Sequence, residues 1–544
     1  MKSKTCDRFD WCWYLSVAGL ALLVGALAAL TNPGRIDVVD GQTRFEVGRS
    51  LAQHGDSIIR DERVRWSVFP GRAGQLYSNY RLPHSLVAAV AIQVADFTGP
   101  KQEGRRHFYF LLASALAGSM LTLVYALWFR RQGLSHRAAL LWALAGFVCT
   151  PNWYYATSTF DDIFSALIVV GSCFIAARTR CSTRLAGTSA LGLLCGLVYN
   201  VKEPLGVFAL VAVALHDNRA FTRIQRLFRL AIIASGLAGG ILFAWYYDHY
   251  KFPFDKASVH AELLNKYLPI YHDQPVAALA DFLLSPGCGV CWYAPALVFG
   301  LLGWWHAWSR GERRFAGSIL VATLIFVTFH CFVSFFKGDP AWGPRYFTPW
   351  IALLWLLAPW GAARLRLWLV VCVISISLLV QLLSLAVDPN RLYLERQLPS
   401  SFYYKNAWIY FDVNLSHLSQ RPREIAGILR DSERAECFSP APTPTFGFPL
   451  IDDLTSQDSG PTIIHKYQIL RGFRPWWCSY PALPEANRPI ALRPTLVFLL
   501  GLALIGLSAM LIPLRFLRDP QPTNVATLDQ RLFSQDNKNN LFPG

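Results

Sequence analysis

A long polar segment, residues 32–84, carries the side chains best suited to acid-base chemistry. It follows directly on the first apolar stretch and contains Asp40, and then Tyr77, Tyr80 and Arg81. A membrane protein that places about fifty polar residues between two apolar stretches must fold them on the bilayer surface or into a cavity between helices. We interpret this segment as the floor of an active site, in which the Asp40 carboxylate acts as the base.

A second stretch, residues 337–346, contains Arg345 among glycines, prolines and the aromatic residues Trp342 and Tyr346. A guanidinium group suits bidentate phosphate binding better than an ammonium group does. The alternative is an interfacial anchor, because tryptophan, tyrosine and arginine all favour the headgroup level of a membrane.

Two further charged pairs stand at the ends of apolar runs. Asp161 and Asp162 begin one run, where an aspartate is also an ordinary helix cap or dipole partner. Lys202 and Glu203 precede another run and could neutralise each other, or Lys202 could bind an anion such as a lipid phosphate. Each charge alone has a bland explanation, and their gathering at one face of the membrane would favour a functional site.

The elements that must hold these residues are membrane helices. Of the 544 residues, 53% are hydrophobic and only 16% are charged, and apolar runs recur along the whole chain. The composition excludes a soluble domain and indicates a polytopic membrane protein. The formal net charge of +16 lies in short clusters between apolar runs, which is typical of a topology signal rather than of nucleic-acid binding.

The apolar pattern predicts an all-α bundle of about twelve transmembrane helices. The predicted spans are residues 11–31, 107–129, 138–149, 163–177, 185–199, 205–216, 230–247, 290–308, 315–336, 347–363, 367–387 and 495–513.

The segment 85–97 decides the topology, because it is apolar but short and carries Gln93 and Asp96. If it does not cross, the basic clusters between spans all lie on one side, with twenty Lys and Arg against four acids. The positive-inside rule then selects cytoplasmic termini and a non-crossing segment. The candidate residues, together with Lys337 and Asp339, are predicted to share the extracytoplasmic face.

The domain organisation follows from the same pattern. Residues 1–387 form the predicted transmembrane core, 388–490 an extracytoplasmic region, 491–518 the last span and 519–544 a disordered cytoplasmic tail. Residues 423–434 are predicted to form an amphipathic helix, and residues 439–446 an extended linker. Cys437 and Cys478 could pair in an oxidising compartment. Cys288 and Cys291 form an isolated C-x-x-C, which is a weak signal for a redox or metal site.

The order of several short motifs resembles the GT-C glycosyltransferases, in particular the bacterial group related to protein mannosyltransferases and to the aminoarabinose transferase of lipid A. The segments that carry the resemblance are residues 39–41 and 55–56, 76–85, 156–166, 285–295 and 343–349. Two positions depart from the family pattern. Asn79 stands where the family usually has lysine, so that a phosphate contact would be missing or supplied by Arg81. Cys288 stands where the family often has arginine, so that a second contact would be missing.

The resemblance implies a polyprenyl-phosphate-linked sugar as donor, an extracytoplasmic glycan, lipid or protein acceptor, and inversion at the anomeric carbon. Asp40 would be the general base for the acceptor hydroxyl. Arg345, Lys202 and Arg81 would bind the donor phosphate, whose charge grows as it departs.

The substrate-orienting residues would be Asp161, Asp162, Tyr77, Tyr80, Trp342 and Tyr346. No cofactor, no tightly bound metal and no nucleic acid is expected, since no set of side chains has ligand spacing. The expected location is a bacterial inner membrane.

The alternatives are another enzyme of lipid-linked glycans, such as a ligase or polymerase, and a transporter or flippase of a lipid-linked glycan. A transporter would favour inverted repeats and charges near the middle of spans. A scaffold without catalysis would leave the gathering of charges unexplained.

Overall fold

The computed structural model describes residues 5–61, 64, 67–180, 182, 185–217, 221–253, 274–332, 341–389, 391–392, 411–430, 472–480, 488 and 490–512. Lys337, Asp339, Cys437 and the linker at 439–446 lie outside the described residues, and so does the tail from residue 513 onwards.

The described chain is built almost entirely of helices. In chain order they are α1 (Thr5–Thr31), α2 (Val39–His54), α3 (Leu82–Thr98), α4 (Glu103–Arg131), α5 (His136–Val148), α6 (Asn152–Tyr155), α7 (Asp162–Thr179), α8 (Leu185–Val201), α9 (Ala209–His216), α10 (Arg223–Lys251), α11 (Pro275–Leu284), α12 (Val290–Tyr293), α13 (Leu297–Ser309), α14 (Arg313–Phe332), α15 (Thr348–Trp355), α16 (Ala358–Ala362), α17 (Leu367–Ala386), α18 (His417–Arg430), α19 (Trp476–Ser479) and α20 (Leu492–Leu511). Short 3₁₀ turns cover Arg72–Gly74, Glu203–Phe208, Arg345–Phe347 and Val413–Leu415.

Seven of these helices are long and apolar enough to cross a membrane, namely α1 (from Trp11), α4, α7, α10, α14, α17 and α20. The chain is therefore a helical, multi-pass membrane protein, as its composition predicts. The count of twelve spans is not confirmed, because the five other predicted spans correspond to helices that are short or broken.

Prolines explain two of the breaks. Ala294, which precedes Pro295, has φ −140° and ψ 59° and ends α12 before α13 can begin. A residue before proline is disfavoured in the α region, so one predicted span becomes two helices. Pro359 lies in the first turn of α16, where a proline is tolerated, and separates that helix from α15.

The first loop folds into two helices and a hairpin. Strands β1 (Val68–Pro70) and β2 (Leu76–Ser78) are antiparallel and place Phe69 opposite Tyr77. Helix α3 packs on α2 and on α4 through an apolar cluster that includes Phe45, Ala88 and Phe110. The approach is close, because a Cβ added at Gly48 of α2 would lie 2.6 Å from the Ala88 Cβ.

Helices α8 and α10 cross at small residues. Gly192 and Gly196 on α8 face Gly236 and Gly240 on α10, and a Cβ added at Gly236 would lie 2.3 Å from the Gly192 carbonyl carbon. Asn200 Nδ2 donates a hydrogen bond to the Gly240 carbonyl at 2.8 Å. Glycines spaced four apart let two backbones touch, which is a common helix contact in membranes.

Two buried aromatic donors of α4 fix α15 against that helix. The Tyr125 hydroxyl donates to the Ala352 carbonyl at 3.1 Å, and the Trp128 indole donates to the Leu356 carbonyl at 3.1 Å. The Leu356 carbonyl stands at the end of α15, where it has no partner within that helix. These bonds hold α15 and the 3₁₀ turn before it, which carries Arg345, in a fixed position.

Candidate active site

Asp40 lies in the first turn of α2, as the chain turns away from the end of α1. The N-terminal end of a helix favours a negative charge, so the position itself suits an ionised carboxylate. The side chain is buried. Gly41 allows the loop before α7 to approach, because a Cβ there would lie 2.1 Å from the Thr159 Oγ1.

Arg345 joins Asp40 to the start of α7. Its Nη2 donates to Asp40 Oδ2 at 2.7 Å, and its Nε donates to Asp162 Oδ2 at 2.8 Å. The guanidinium carbon lies 3.7 Å from the centroid of the Phe160 ring. With only 1% of its surface exposed, Arg345 is a desolvated cation between two hydrogen-bonded carboxylates and an aromatic face.

Two more cations complete the arrangement. Arg44 Nη2 lies 2.9 Å from Asp161 Oδ2, and Lys202 Nζ lies 2.9 Å from Asp161 Oδ1. Lys202 also donates to Asp162. Lys202 and Glu203 therefore do not neutralise each other, because Lys202 bonds to Asp161 and Asp162 at the start of α7.

We call this group the buried charge cluster; its members are Asp40, Arg44, Asp161, Asp162, Lys202 and Arg345. Three carboxylates and three cations balance within it. The removal of charges from water costs several kcal/mol per ion, and only good pairing geometry offsets that cost.

The cations control the protonation of the acids. Burial raises the pKa of the Asp40 carboxyl, but the guanidinium groups of Arg345 and Arg44 outweigh burial and hold that pKa well below its usual value. Burial acts on Asp161 in the same way, and Arg44 and Lys202 again outweigh it, so that its pKa is also lowered. In this arrangement Asp40 is ionised but weakly basic.

Tyr80 contacts the buried charge cluster directly. Its hydroxyl donates to Asp40 Oδ1, and its ring lies under Arg44, with 4.1 Å between the guanidinium carbon and the ring centroid. Both oxygens of Asp40 are thus occupied, one by Tyr80 and the other by Arg345.

Arg81 has different partners. Its Nη1 lies 2.8 Å from Asp248 Oδ2 at the end of α10, and its Nη2 pairs with Glu203. Lys251 supports the same corner, because its Nζ donates to the Ser78 carbonyl at 2.9 Å. The predicted phosphate ligand Arg81 is therefore already neutralised by two acids.

Of the remaining predicted aromatic residues, one lies beside the buried charge cluster and two pack elsewhere. Tyr346 stands beside the cluster, with its ring centroid 4.9 Å from Lys202 Nζ. Trp342 instead packs on the Tyr293 ring, with centroids 5.0 Å apart, and on His417. Tyr77 packs against Phe252 with centroids 6.2 Å apart. In the described part of the chain, the rings of Trp342 and Tyr77 therefore pack away from the buried charge cluster.

Sequence reasoning missed Arg44, although a signal existed. Arg44 stands four residues after Asp40, and on a helix this spacing places both side chains on one face. Their Nη1 and Oδ2 atoms are 3.9 Å apart.

Sequence reasoning also missed the buried ion pair of Asp37 and Arg474, which supports the buried charge cluster. Asp37 Oδ1 accepts hydrogen bonds from the Thr159 amide at 3.1 Å and from the Thr159 hydroxyl at 2.9 Å. Arg474 Nη2 donates to Asp37 Oδ2 at 3.0 Å and to the Thr157 carbonyl at 3.0 Å. This network ties the backbone three residues before Asp40 to the loop that ends in Asp161.

Other candidate ligands are held in ordinary contacts. Cys288 is buried and hydrogen-bonds with Ser285, whereas Cys291 is exposed. Cys478 is a free thiol. Within the described ranges, no group of three or more His, Cys, Asp or Glu side chains is arranged to hold a metal ion.

No family model matches the chain, and no curated protein matches it in sequence. Among solved structures, it is similar to ArnT from Cupriavidus metallidurans bound to undecaprenyl phosphate, with 16% identity and a TM-score of 0.44 over 92% of this chain and 77% of that one. The apo state of the same protein gives 13% identity and a TM-score of 0.42, over 93% and 78% of the two chains.

An oligosaccharyltransferase from Archaeoglobus fulgidus, tethered to an acceptor peptide, gives 14% identity and a TM-score of 0.36, over 89% of this chain and 61% of that one. At this level of similarity, the function has to be argued from the residues of the chain itself.

Proposed function

We propose that this chain is a GT-C-type glycosyltransferase that moves a sugar from a polyprenyl-phosphate donor to an acceptor hydroxyl, with inversion at the anomeric carbon. The observation that carries the proposal is the buried charge cluster, in which Arg345 hydrogen-bonds to Asp40 and to Asp162 at the same time. Transfer of a sugar from a lipid phosphate needs a carboxylate beside fixed cations, and this cluster supplies both.

The carboxylate has the role of general base. The acceptor hydroxyl loses its proton to Asp40 as its oxygen attacks the anomeric carbon, and the bond from that carbon to the phosphate oxygen breaks. Asp40 fits this role because it stands in the first turn of α2, where the first loop meets the helix ends. A positioned base of this kind typically contributes 10²- to 10⁴-fold to a rate.

The cations stabilise the negative charge that develops on the departing phosphate. We assign the departing phosphate to Arg345 and Lys202, with Arg44 beside them, because all three contact the carboxylates that a phosphate would replace. Fixed charges in a water-excluded site stabilise developing negative charge more than solvent does. Arg81 receives a lesser role, since Glu203 and Asp248 already neutralise it.

Donor binding would also activate the base. When a phosphate accepts hydrogen bonds from Arg345, the guanidinium is drawn away from Asp40. The main cationic influence that lowers the pKa of Asp40 is then weakened, and that pKa rises towards its usual range. Asp40 would therefore become a better base only when the donor is present, which protects the enzyme from unproductive proton transfer.

The remaining assignments follow from the same site. Asp161, Asp162, Tyr80 and Tyr346 are proposed to orient the sugar or the acceptor, because they contact the cluster cations or Asp40. With the positive-inside orientation, the termini are cytoplasmic and the site faces the extracytoplasmic side of what we take to be a bacterial inner membrane. The acceptor is a glycan, lipid or protein hydroxyl at that side.

The test is glycan transfer in membranes that contain the wild type, Asp40→Asn or Asp37→Asn at equal protein level. Asp37 is the matched control, because both acids have 4% of their surface exposed and both pair with a buried arginine. Transfer from a labelled polyprenyl-phosphate sugar and mass spectrometry of the surface glycans are measured together.

Asp40→Asn is expected to lower transfer by about 10²-fold or more, because the base is removed while its shape is kept. Asp37→Asn is expected to retain most of the transfer, because an asparagine oxygen can still accept the two hydrogen bonds from Thr159 that hold the loop before Asp161. An unchanged glycan profile in Asp40→Asn would contradict its role as the base. An unchanged profile in a complete deletion would contradict the enzyme and favour a transporter.

A further inference from the structure

A groove of about 570 Å³ lies between the starts of α4 and α20, and no member of the buried charge cluster lines it. Its volume is in the range of small-molecule sites. The lining residues that matter here are Arg105, Arg488, Tyr109, Tyr480, Leu112 and Phe498. The groove thus combines two cations and two tyrosines with an apolar part.

Arg105 contributes a positive charge to the groove. Its Nη2 donates to the neutral Thr98 hydroxyl at 3.0 Å, and its guanidinium carbon lies 5.6 Å from the Tyr109 ring centroid. No carboxylate of the described residues lies within ion-pair distance of it. Its Nε is buried and has no hydrogen-bond partner among the described residues. The site therefore favours an anion.

The groove is amphipathic along the helix axes. Leu112 stands seven residues after Arg105 on α4, which places it on the same face and about 10 Å deeper. Phe498 lies in α20, beyond Arg488 in the chain, and 62% of its surface is exposed. Both helices are candidate membrane spans, so the arginines stand at the level of lipid headgroups and the apolar residues at the level of acyl chains.

We propose that this groove binds an anionic phospholipid of the surrounding bilayer. The phosphate lies between Arg105 and Arg488, and an acyl chain lies along Leu112 and Phe498. The charge of the groove selects an anionic headgroup, and its apolar part selects a lipid rather than a free phosphate ion, which would use only the two cations. This site is separate from the proposed reaction and is tested without turnover.

The experiment is native mass spectrometry of the detergent-purified full chain, titrated with phosphatidylglycerol and, separately, with phosphatidylcholine. Wild type is compared with Arg105→Gln and Arg488→Gln. The matched control is Arg72→Gln, because Arg72 is an exposed arginine over a tyrosine ring at 5.4 Å but does not line the groove.

Each groove variant is expected to weaken phosphatidylglycerol binding about fivefold, since a half-exposed charge contributes less than a buried one. Arg72→Gln is expected to bind as the wild type does. Thr495→Trp, which fills the groove from its bilayer side, is expected to lower the occupancy by both lipids.

Several outcomes would overturn the proposal. One is equal phosphatidylglycerol binding by the wild type, Arg105→Gln and Arg488→Gln. Another is a loss of the same size in Arg72→Gln. Displacement of the lipid by excess inorganic phosphate would overturn the assignment to a lipid. The melting temperature of each purified variant shows whether that variant is folded. If an arginine variant does not fold, Thr495→Trp still tests whether the groove is the lipid site.

Discussion

The substitution Arg345→Lys tests whether the fork of the guanidinium group, and not only its charge, organises the site. Arg345 donates from Nη2 to Asp40 at 2.7 Å and from Nε to Asp162 at 2.8 Å. A lysine keeps the positive charge but has a single ammonium group on a flexible stem. It cannot occupy both positions at once, so one of the two acids loses its partner.

The expected magnitude follows from these contacts. A hydrogen bond to a charged group contributes about 1.5–3 kcal/mol, and Arg345→Lys removes one of two. If the transition state loses about 2 kcal/mol of stabilisation from this hydrogen bond, the rate of transfer falls roughly thirtyfold. The same variant is expected to raise the pKa of Asp40, because Arg345 is the first of the charges that lower it.

The assay is single-turnover transfer from a labelled polyprenyl-phosphate sugar by purified protein, with the melting temperature measured in parallel. Arg421→Lys is the matched control, because Arg421 is also fully buried and pairs with Glu424 at 2.8 Å, away from the cluster. Transfer by Arg345→Lys within twofold of the wild type would refute the reasoning. An equal loss in Arg421→Lys would show that the effect comes from buried arginine in general.

Two further predictions concern stability. Burial raises the pKa of Glu46 to about 7, against 4.5 in the unfolded chain, so its contribution to stability is complete below pH 4.5 and is lost as the pH rises through 7. Glu46→Gln is therefore expected to raise the melting temperature relative to wild type more at pH 8 than at pH 5; a difference that does not change with pH would contradict this. Gly236→Ala is expected to cost about 1–3 kcal/mol, because the new Cβ would meet the Gly192 backbone at 2.3 Å. In the described part of the chain, a Cβ at Gly239 of the same helix meets no atom of another element within 4 Å, so Gly239→Ala is expected to be neutral or slightly stabilising. Equal denaturation curves for the two variants would contradict the close helix contact.

The amino-acid sequence alone was sufficient to predict the helical membrane architecture, because apolar runs of membrane length are a property of the local chain. It was also sufficient to select Asp40, Asp161, Asp162, Lys202 and Arg345 as one group. These residues stand at helix ends, which the charge rule predicts to share one side of the membrane. The structure brings all five into contact.

The number of spans could not be predicted in the same way. The run at residues 290–308 contains no Asp, Glu, Lys or Arg, yet Pro295 divides it into two helices. Hydropathy counts apolar residues and does not record where a backbone amide is missing, so broken and intact helices give the same signal.

The partner of each charge was decided by tertiary structure. Lys202 and Glu203 are adjacent in the chain, but Lys202 bonds to the two acids at the start of α7 and Glu203 bonds to Arg81. Arg474 reaches Asp37 across more than four hundred residues. The physical reason is that ion pairing depends on distances of a few ångströms. The sequence determines which residues are charged and which stand near helix ends, whereas the packing of helices such as α8 and α10 at their glycines sets those distances.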